Sequence, residues 1–411
     1  MSSTKKIVGL MLSAILVVLI ASPALRLLYL RAPDGALYGY TDDVPSFPTN
    51  SMRAFFDRSF QHWVERYFDV NLGFREKLIR SFNELNFRLF REAPRLRLYA
   101  TSTHGLYSKM SIDNLNDEVV RFKDLGERYR IEAAKLLLVQ QRLHSLGKYF
   151  QVVIGTSKPY VYPDDLGGRY LVGGSSGIFD RAASFGKILR EVGVNVIDGG
   201  PLLREFIRRT GVETHASTGV HWNYYAGCLV TQQLFVNLKS NSFATAPSLD
   251  CGEPHQGEPN MTDVDGLLLL NIWSQGGVSK PTAYPSKMNI GEYTWRPNIL
   301  IIGDSFSGQI HYVLQETNAY SRLVKSTYFR TREVEDHSAA TSTVRDIKAD
   351  ESIVRNELMK DLAESDVIVL QMVDYNVGRW GYGFPDYVLN HFSNNPIDIG
   401  HLPIFSESKT K

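Results

Sequence analysis

The sequence predicts an α/β fold, a sandwich of helices around a mostly parallel sheet. Two observations predict it. Five short apolar runs have the length and β-branched character of buried strands: Tyr149–Ile154, Val194–Ile197, Asn298–Ile302, Val324–Phe329 and Asp366–Met372. Between them lie stretches with helical spacing, near 176–191, 200–210 and 223–238. Apolar strands separated by helices are the pattern of a sheet buried on both faces, and ligands of such folds bind beyond the carboxyl ends of the strands. Hydrophobic residues make up 43% and charged residues 22% of the 411, which suits a globular body.

In chain order, Lys5 and Lys6 precede an uncharged run, Ile7–Leu25, closed by Arg26. Its 19 residues approach the roughly 20 needed to cross a bilayer as a helix. The preceding lysines favour a cytoplasmic N-terminus with everything after it exported. A cleaved signal peptide ending near Ala21-Ser22-Pro23-Ala24 is the other reading. We favour the anchor, because apolar character resumes at Leu27-Leu28-Tyr29-Leu30.

Residues 31–50, with Pro33, Asp34, Gly35, Pro45 and Pro48, read as a linker leaving the membrane, and Asn50 as a helix N-cap. Arg75–Phe90 reads as an amphipathic helix with Leu78, Ile79, Phe82, Leu85 and Leu89 on one face, ended by Pro94. A longer helical pattern covers 116–146 and stops at Gly147. No internal repeat or low-complexity tract is evident.

Charge excludes one class of partner. The formal net charge is +1, from 45 basic and 44 acidic residues, with no basic face of the kind nucleic acid requires. The two cysteines, Cys228 and Cys251, are either a disulfide suited to an exported chain or two separate thiols. No Cys/His spacing matches a zinc site, and there is no phosphate-binding or dinucleotide fingerprint, so neither metal nor cofactor is expected.

The sharpest local feature is Gly303-Asp304-Ser305-Phe306, directly after the run Asn298–Ile302. A buried strand would deliver Ser305 to the carboxyl edge of the sheet, Gly303 would permit a tight turn, and the amides that follow would open a helix and stabilise an oxyanion. The same residues also suit a plain turn with a helix cap. A serine nucleophile needs a base, and histidine has the appropriate pKa. His221, where a Gly-containing loop runs into a helical pattern, is the candidate, with His215 in reserve. Lys158 and Tyr162 follow another predicted strand and can line the same cleft or simply pack. Trp222 beside the base can stack on a sugar ring or turn inward. Trp380, in the Gly-rich stretch Gly378–Gly383, can lie over the cleft.

Taken together these segments resemble the SGNH hydrolase-like domain of bacterial alginate O-acetyltransferases of the AlgJ/AlgX type, related to the DHHW proteins. The likeness runs from Trp63-Val-Glu-Arg-Tyr67-Phe68 and Gly73-Phe74-Arg75-Glu76, through Thr156-Ser157-Lys158 to Tyr162-Pro163, then Thr218-Gly219-Val220-His221-Trp222. It ends in Gly-Asp-Ser-Phe and the strand before Asp374-Tyr375-Asn376. The resemblance implies an SGNH-like α/β/α sandwich over 101–400, following an anchor at 1–30 and a linker with a helical segment at 31–100. It implies a His motif before the Ser motif and a Ser305 acyl-enzyme that passes acetyl to a hydroxyl of an exported polysaccharide. It also implies a membrane-bound acyltransferase partner that supplies acetyl groups from the inner membrane. One departure stands out. The family's Asp-x-His motif would place a carboxylate at 219, where this chain has Gly219. Asp374 is the first choice for the missing acid and Glu213 the second; a Ser-His dyad is the alternative. Asp304 is expected to brace the turn, and Asn376 to donate to the oxyanion. An esterase using the same residues, or a non-catalytic polysaccharide-binding or assembly protein, are the competing readings.

Overall fold

A computed structural model describes residues 2–29, 37–39, 44–49, 51–71, 75–93, 98–121, 125–172, 181–241, 243, 245–274, 277–337, 345–348 and 351–392. Pro33, Asp34, Gly35, Asn50, Gly73, Phe74, Pro94 and the start of the helix expected from 176 lie outside the described residues. The chain forms two compact units, Met1–Leu96 with Leu267–Gly277, and Arg97–Gly266 with Val278–Lys411.

The first unit is helical: α1 (Ser2–Tyr29), α2 (Ser51–Phe56), α3 (Ser59–Asn71) and α4 (Arg75–Phe90). Among the described residues, no helix is long and apolar enough to cross a membrane. The anchor read from the sequence therefore has no support in the described structure. α4 forms where its pattern predicted, but Leu78, Phe82, Leu85 and Leu89 of the expected apolar stripe are exposed. The residues it buries are Arg75, Asn83 and Phe87, and Asn83 Nδ2 donates to Leu270 O at 2.8 Å within the same unit.

The second unit is built on a seven-stranded sheet. Its strands in chain order are β1 (Tyr149–Gly155), β2 (Val196–Asp198), β3 (Asn298–Gly303), β4 (Arg322–Thr327), β5 (Thr331–Asp336), β6 (Arg345–Lys348) and β7 (Val367–Val373). The spatial order is β6-β5-β4-β3-β7-β1-β2. The five strands from β4 to β2 are parallel, whereas β5 and β6 fold back antiparallel at one edge. The sheet is thus mixed, not simply parallel. The two added strands escape an apolar-run reading because Thr-Arg-Glu-Val-Glu-Asp (β5) and Arg-Asp-Ile-Lys (β6) are mostly polar edge sequences.

Alternation within each central strand feeds two cores. Val153, Ile299, Ile301, Val367 and Val369 enter one, with residues of α5 (Gly199–Thr210), α6 (Tyr224–Ser240) and α7 (Ser307–Thr317). Val152, Ile154, Leu300, Ile302, Ile368 and Leu370 enter the other, against Leu136, Phe185, Leu358 and Val388 from helices on the opposite face. Each such fully buried side chain contributes roughly 1.5–3 kcal/mol relative to exposure. The layers are helix, sheet, helix, and the parallel strands all end at one edge. The helical pattern expected over 116–146 forms as two helices, Lys109–Arg121 and Leu125–Ser145. Cys228 of α6 is bonded to Cys251.

Candidate active site

β3 ends at Gly303 and turns so that Ser305 stands at the carboxyl edge. Gly303 is required by proximity: a Cβ there would lie 2.6 Å from Gln371 Oε1 and 2.9 Å from Gln371 O on β7. Asp304 is fully buried and braces the turn. Its carboxylate accepts from the amides of Phe306 (3.0 Å) and Val373 (2.7 Å), from Asn376 Nδ2 (3.2 Å) and from the Tyr382 hydroxyl (2.7 Å). The turn is thereby tied to the end of the neighbouring strand. α7 starts directly after, and the Ser305 amide carries no hydrogen bond among the described residues, which leaves it open to an oxyanion.

His221 comes from the loop before α6. Its Nε2 lies 2.7 Å from Ser305 Oγ and its Nδ1 lies 2.5 Å from Asp265 Oδ2. Asp265 opens the short helix Asp265–Leu270, and its Oδ1 accepts from the amides of Val220 (3.0 Å) and Gly266 (2.7 Å). Burial opposes charge on His221, but the Asp265 carboxylate, with Asp304 and Asp263 farther off, outweighs it and raises the imidazole pKa above its ordinary value. Burial likewise works against the Asp265 carboxylate, yet His221 and the two amides hold its pKa below the usual range. The result is a serine, an imidazole and an oriented carboxylate in one line.

The acid behind His221 is Asp265 and neither Asp374 nor Glu213. Asp374 does not reach His221: its Oδ2 accepts from the Ser157 amide (2.8 Å) and hydroxyl (2.7 Å), and burial pushes its pKa up to about 6. Glu213 instead faces His104, 3.7 Å away. Gly219 and Asp265 explain each other. A Cβ at 219 would meet Asp263 O at 2.9 Å and Thr262 O at 3.1 Å, so the segment that brings Asp265 to the imidazole occupies the space a residue-219 side chain would need. The sequence signal that marks Asp265 is faint: an acidic residue opening Asp-Gly-Leu-Leu-Leu-Leu, where free helix amides favour a carboxylate.

Other expected site residues turn inward. Trp222 is fully buried, donating from Nε1 to Phe306 O (3.0 Å) and Gln309 Oε1 (3.2 Å), and is not a sugar platform. Lys158 is buried among backbone carbonyls, so it does not line a cleft. The Tyr162 hydroxyl accepts from the Thr214 amide (3.0 Å) and its ring stacks on His104. Asn376 turns its amide to Asp304 rather than to an oxyanion position. His215 bonds Thr156 O at 3.0 Å, and burial pulls its pKa down to about 3. Trp380 packs against Tyr129 and Phe185 in the second core instead of covering the cleft, because its 3-10 stretch Asp374–Gly383 runs across that face of the sheet.

A three-layer α/β unit with a Ser-His-Asp relay at the carboxyl edge of its sheet has the arrangement used for acyl transfer through a serine ester. No family model and no curated protein matches the chain. Similar solved structures include the O-acetyltransferase domain of Pseudomonas putida AlgJ, at 14% identity and TM-score 0.41, covering 70% of this chain and 99% of that one. Bacillus cereus PatB1 with a sulfonyl adduct is 10% identical, with TM-score 0.37, covering 61% and 91%. Pseudomonas aeruginosa AlgX is 11% identical, with TM-score 0.38, covering 67% of this chain and 61% of its own.

Proposed function

We propose that this chain is an O-acyltransferase that carries acetyl on Ser305 and passes it to a hydroxyl of an exported, alginate-like polysaccharide. The observation that carries the reading is the relay, with Ser305 Oγ 2.7 Å from His221 Nε2 and Asp265 2.5 Å behind the imidazole. In the first half, His221 takes the Ser305 proton as Oγ attacks the donor's acyl carbon, and the developing oxyanion meets the open Ser305 amide. The protonated imidazole, stabilised by Asp265, then gives its proton to the leaving group. In the second half the acceptor hydroxyl loses its proton to His221 and attacks the ester, and Ser305 Oγ leaves the acyl carbon as it takes that proton from the imidazolium.

Acetyl as the group and polysaccharide as the acceptor come from the sequence resemblance to alginate O-acetyltransferases. So does a membrane-bound acyltransferase as donor partner. A site outside the cytoplasm, attached to the inner membrane through the run Ile7–Leu25, is part of the same proposal; the Cys228–Cys251 disulfide suits such an oxidising compartment. The test incubates the protein with a chromogenic acetyl ester and an oligosaccharide and follows both products by mass spectrometry. Acetylated sugar that disappears in Ser305→Ala is expected. Acetate alone would make the chain a hydrolase, and equal activity in wild type and Ser305→Ala would remove the serine from the chemistry.

A further inference from the structure

Lys158 is 1% exposed, in the short helix Lys158–Val161 that follows β1. Its Nζ lies 2.6 Å from Ala216 O, 2.7 Å from Gly219 O and 2.8 Å from Leu106 O, with His104 O farther off at 3.2 Å. An ammonium has three N–H donors, so the three short bonds saturate it. No carboxylate lies within ion-pair distance of it among the described residues. A buried cation with only backbone partners is costly, and what it holds is therefore informative.

Gly219 O and the Val220 N–H belong to one peptide group. Lys158 grips that group by its oxygen, while Asp265 Oδ1 accepts from its nitrogen at 3.0 Å. The next residue is His221, whose imidazole the same Asp265 holds through its other oxygen. We propose that Lys158 is a positioning residue of the relay, clamping the Gly219–Val220 peptide opposite Asp265 and so setting where His221 meets Ser305.

The clamp depends on a proton. A neutral amine has two N–H groups for three carbonyls, and burial brings the Lys158 pKa down to about 7 against the attraction of Asp265, Glu213, Asp165 and Asp263. The Tyr107 ring, 5.5 Å from Nζ, and the His215 imidazole, whose own protonation the Lys158 charge opposes, complete its surroundings. Loss of the Lys158 proton on raising the pH releases one carbonyl and loosens the loop.

The inference rests on the Ser305 relay, so the test reads that serine directly. Wild type, Lys158→Met and Lys158→Arg are treated with an arylsulfonyl fluoride over a neutral to alkaline pH series, and the Ser305 adduct is timed by mass spectrometry. Wild type should gain rate as His221 loses its proton and lose rate as Lys158 does, so its profile bends down on the alkaline side. Lys158→Met should react about 10- to 100-fold more slowly at neutral pH, as misplaced groups do, with no alkaline decline. Lys158→Arg keeps a charge that does not titrate and should recover part of the rate, again without the decline. A folded Lys158→Met with the wild-type rate and profile overturns the proposal. Should that variant not fold, wild type carrying ¹³C at lysine Cε and at histidine Cε1 decides: beside their own titration the His221 ring signals must show a second shift at the Lys158 midpoint, and their indifference to it overturns the proposal. A wild type that gains no adduct on Ser305 overturns the acyl-enzyme reading, and this one with it.

Discussion

Asp265 Oδ2 lies 2.5 Å from His221 Nδ1, although 44 residues separate the two in sequence. The carboxylate fixes the tautomer that presents a bare Nε2 to Ser305 and stabilises the imidazolium formed when that proton moves. Asp265→Asn should therefore lower acylation of Ser305 by on the order of 10³–10⁴-fold. The residual rate carries a second signature. Asp265 holds the His221 pKa above its ordinary value, so losing it lets the imidazole become neutral at lower pH. The acid limb of the pH–rate profile should move down in the variant; a limb that stays put would assign the shift to another group.

Gly219 tests the same relationship from the other side. Restoring the carboxylate its position lacks, by Gly219→Asp, should harm the protein instead of improving it. The new Cβ would press on the carbonyls of Asp263 and Thr262, which cannot retreat without carrying Asp265 away. Overpacking of this kind costs typically ~1–3 kcal/mol. A lower melting temperature and slower ester cleavage are expected, and Gly219→Ala should show both effects, because the clash begins at Cβ.

Asp374 provides the contrast. Its folded pKa of about 6 exceeds the ordinary 3.8, so the folded state keeps this proton over a window in which the unfolded chain has lost it. The contribution of this group to stability is present below that window and declines as pH rises through it. Asp374→Asn should flatten the stability profile across the window, read by chemical denaturation at several pH values. It should leave Ser305 acylation within about threefold, since its partner is Ser157 and not His221.

How far the sequence discloses this arrangement follows the range of the interactions. β1, β3 and β7 are apolar on both faces, so their own residues reveal them. Ser305 is legible because a buried strand breaks at Gly303 directly before it. His221 is legible through its place before a helix and its resemblance to a family motif. Asp265 is different: it reaches His221 only because the segment 261–265 folds over Gly219, and nothing local records that approach. Lys158, Trp222 and Asp374 are legible as notable residues, and Trp222 as one that can turn inward, but their partners are not, because each is held by chain distant in sequence. Lys158 is caged by carbonyls at 106, 216 and 219, and Trp222 bonds the peptide of Phe306.

The burial of Trp222 leads to a prediction that separates support of the nucleophile from sugar binding. Its indole N–H donates to the carbonyl of Phe306, the residue after Ser305, and to Gln309 on the first turn of α7. Trp222→Phe preserves most of the packing but removes the indole N–H from the Phe306 carbonyl and from the buried Gln309 Oε1, which costs roughly 1–3 kcal/mol. The loss falls on the turn that aims Ser305. The variant should show a lower melting temperature and a lower kcat for ester cleavage, with KM for an oligosaccharide acceptor unchanged. A raised acceptor KM at constant stability would mean instead that the ring meets the sugar, which its complete burial excludes.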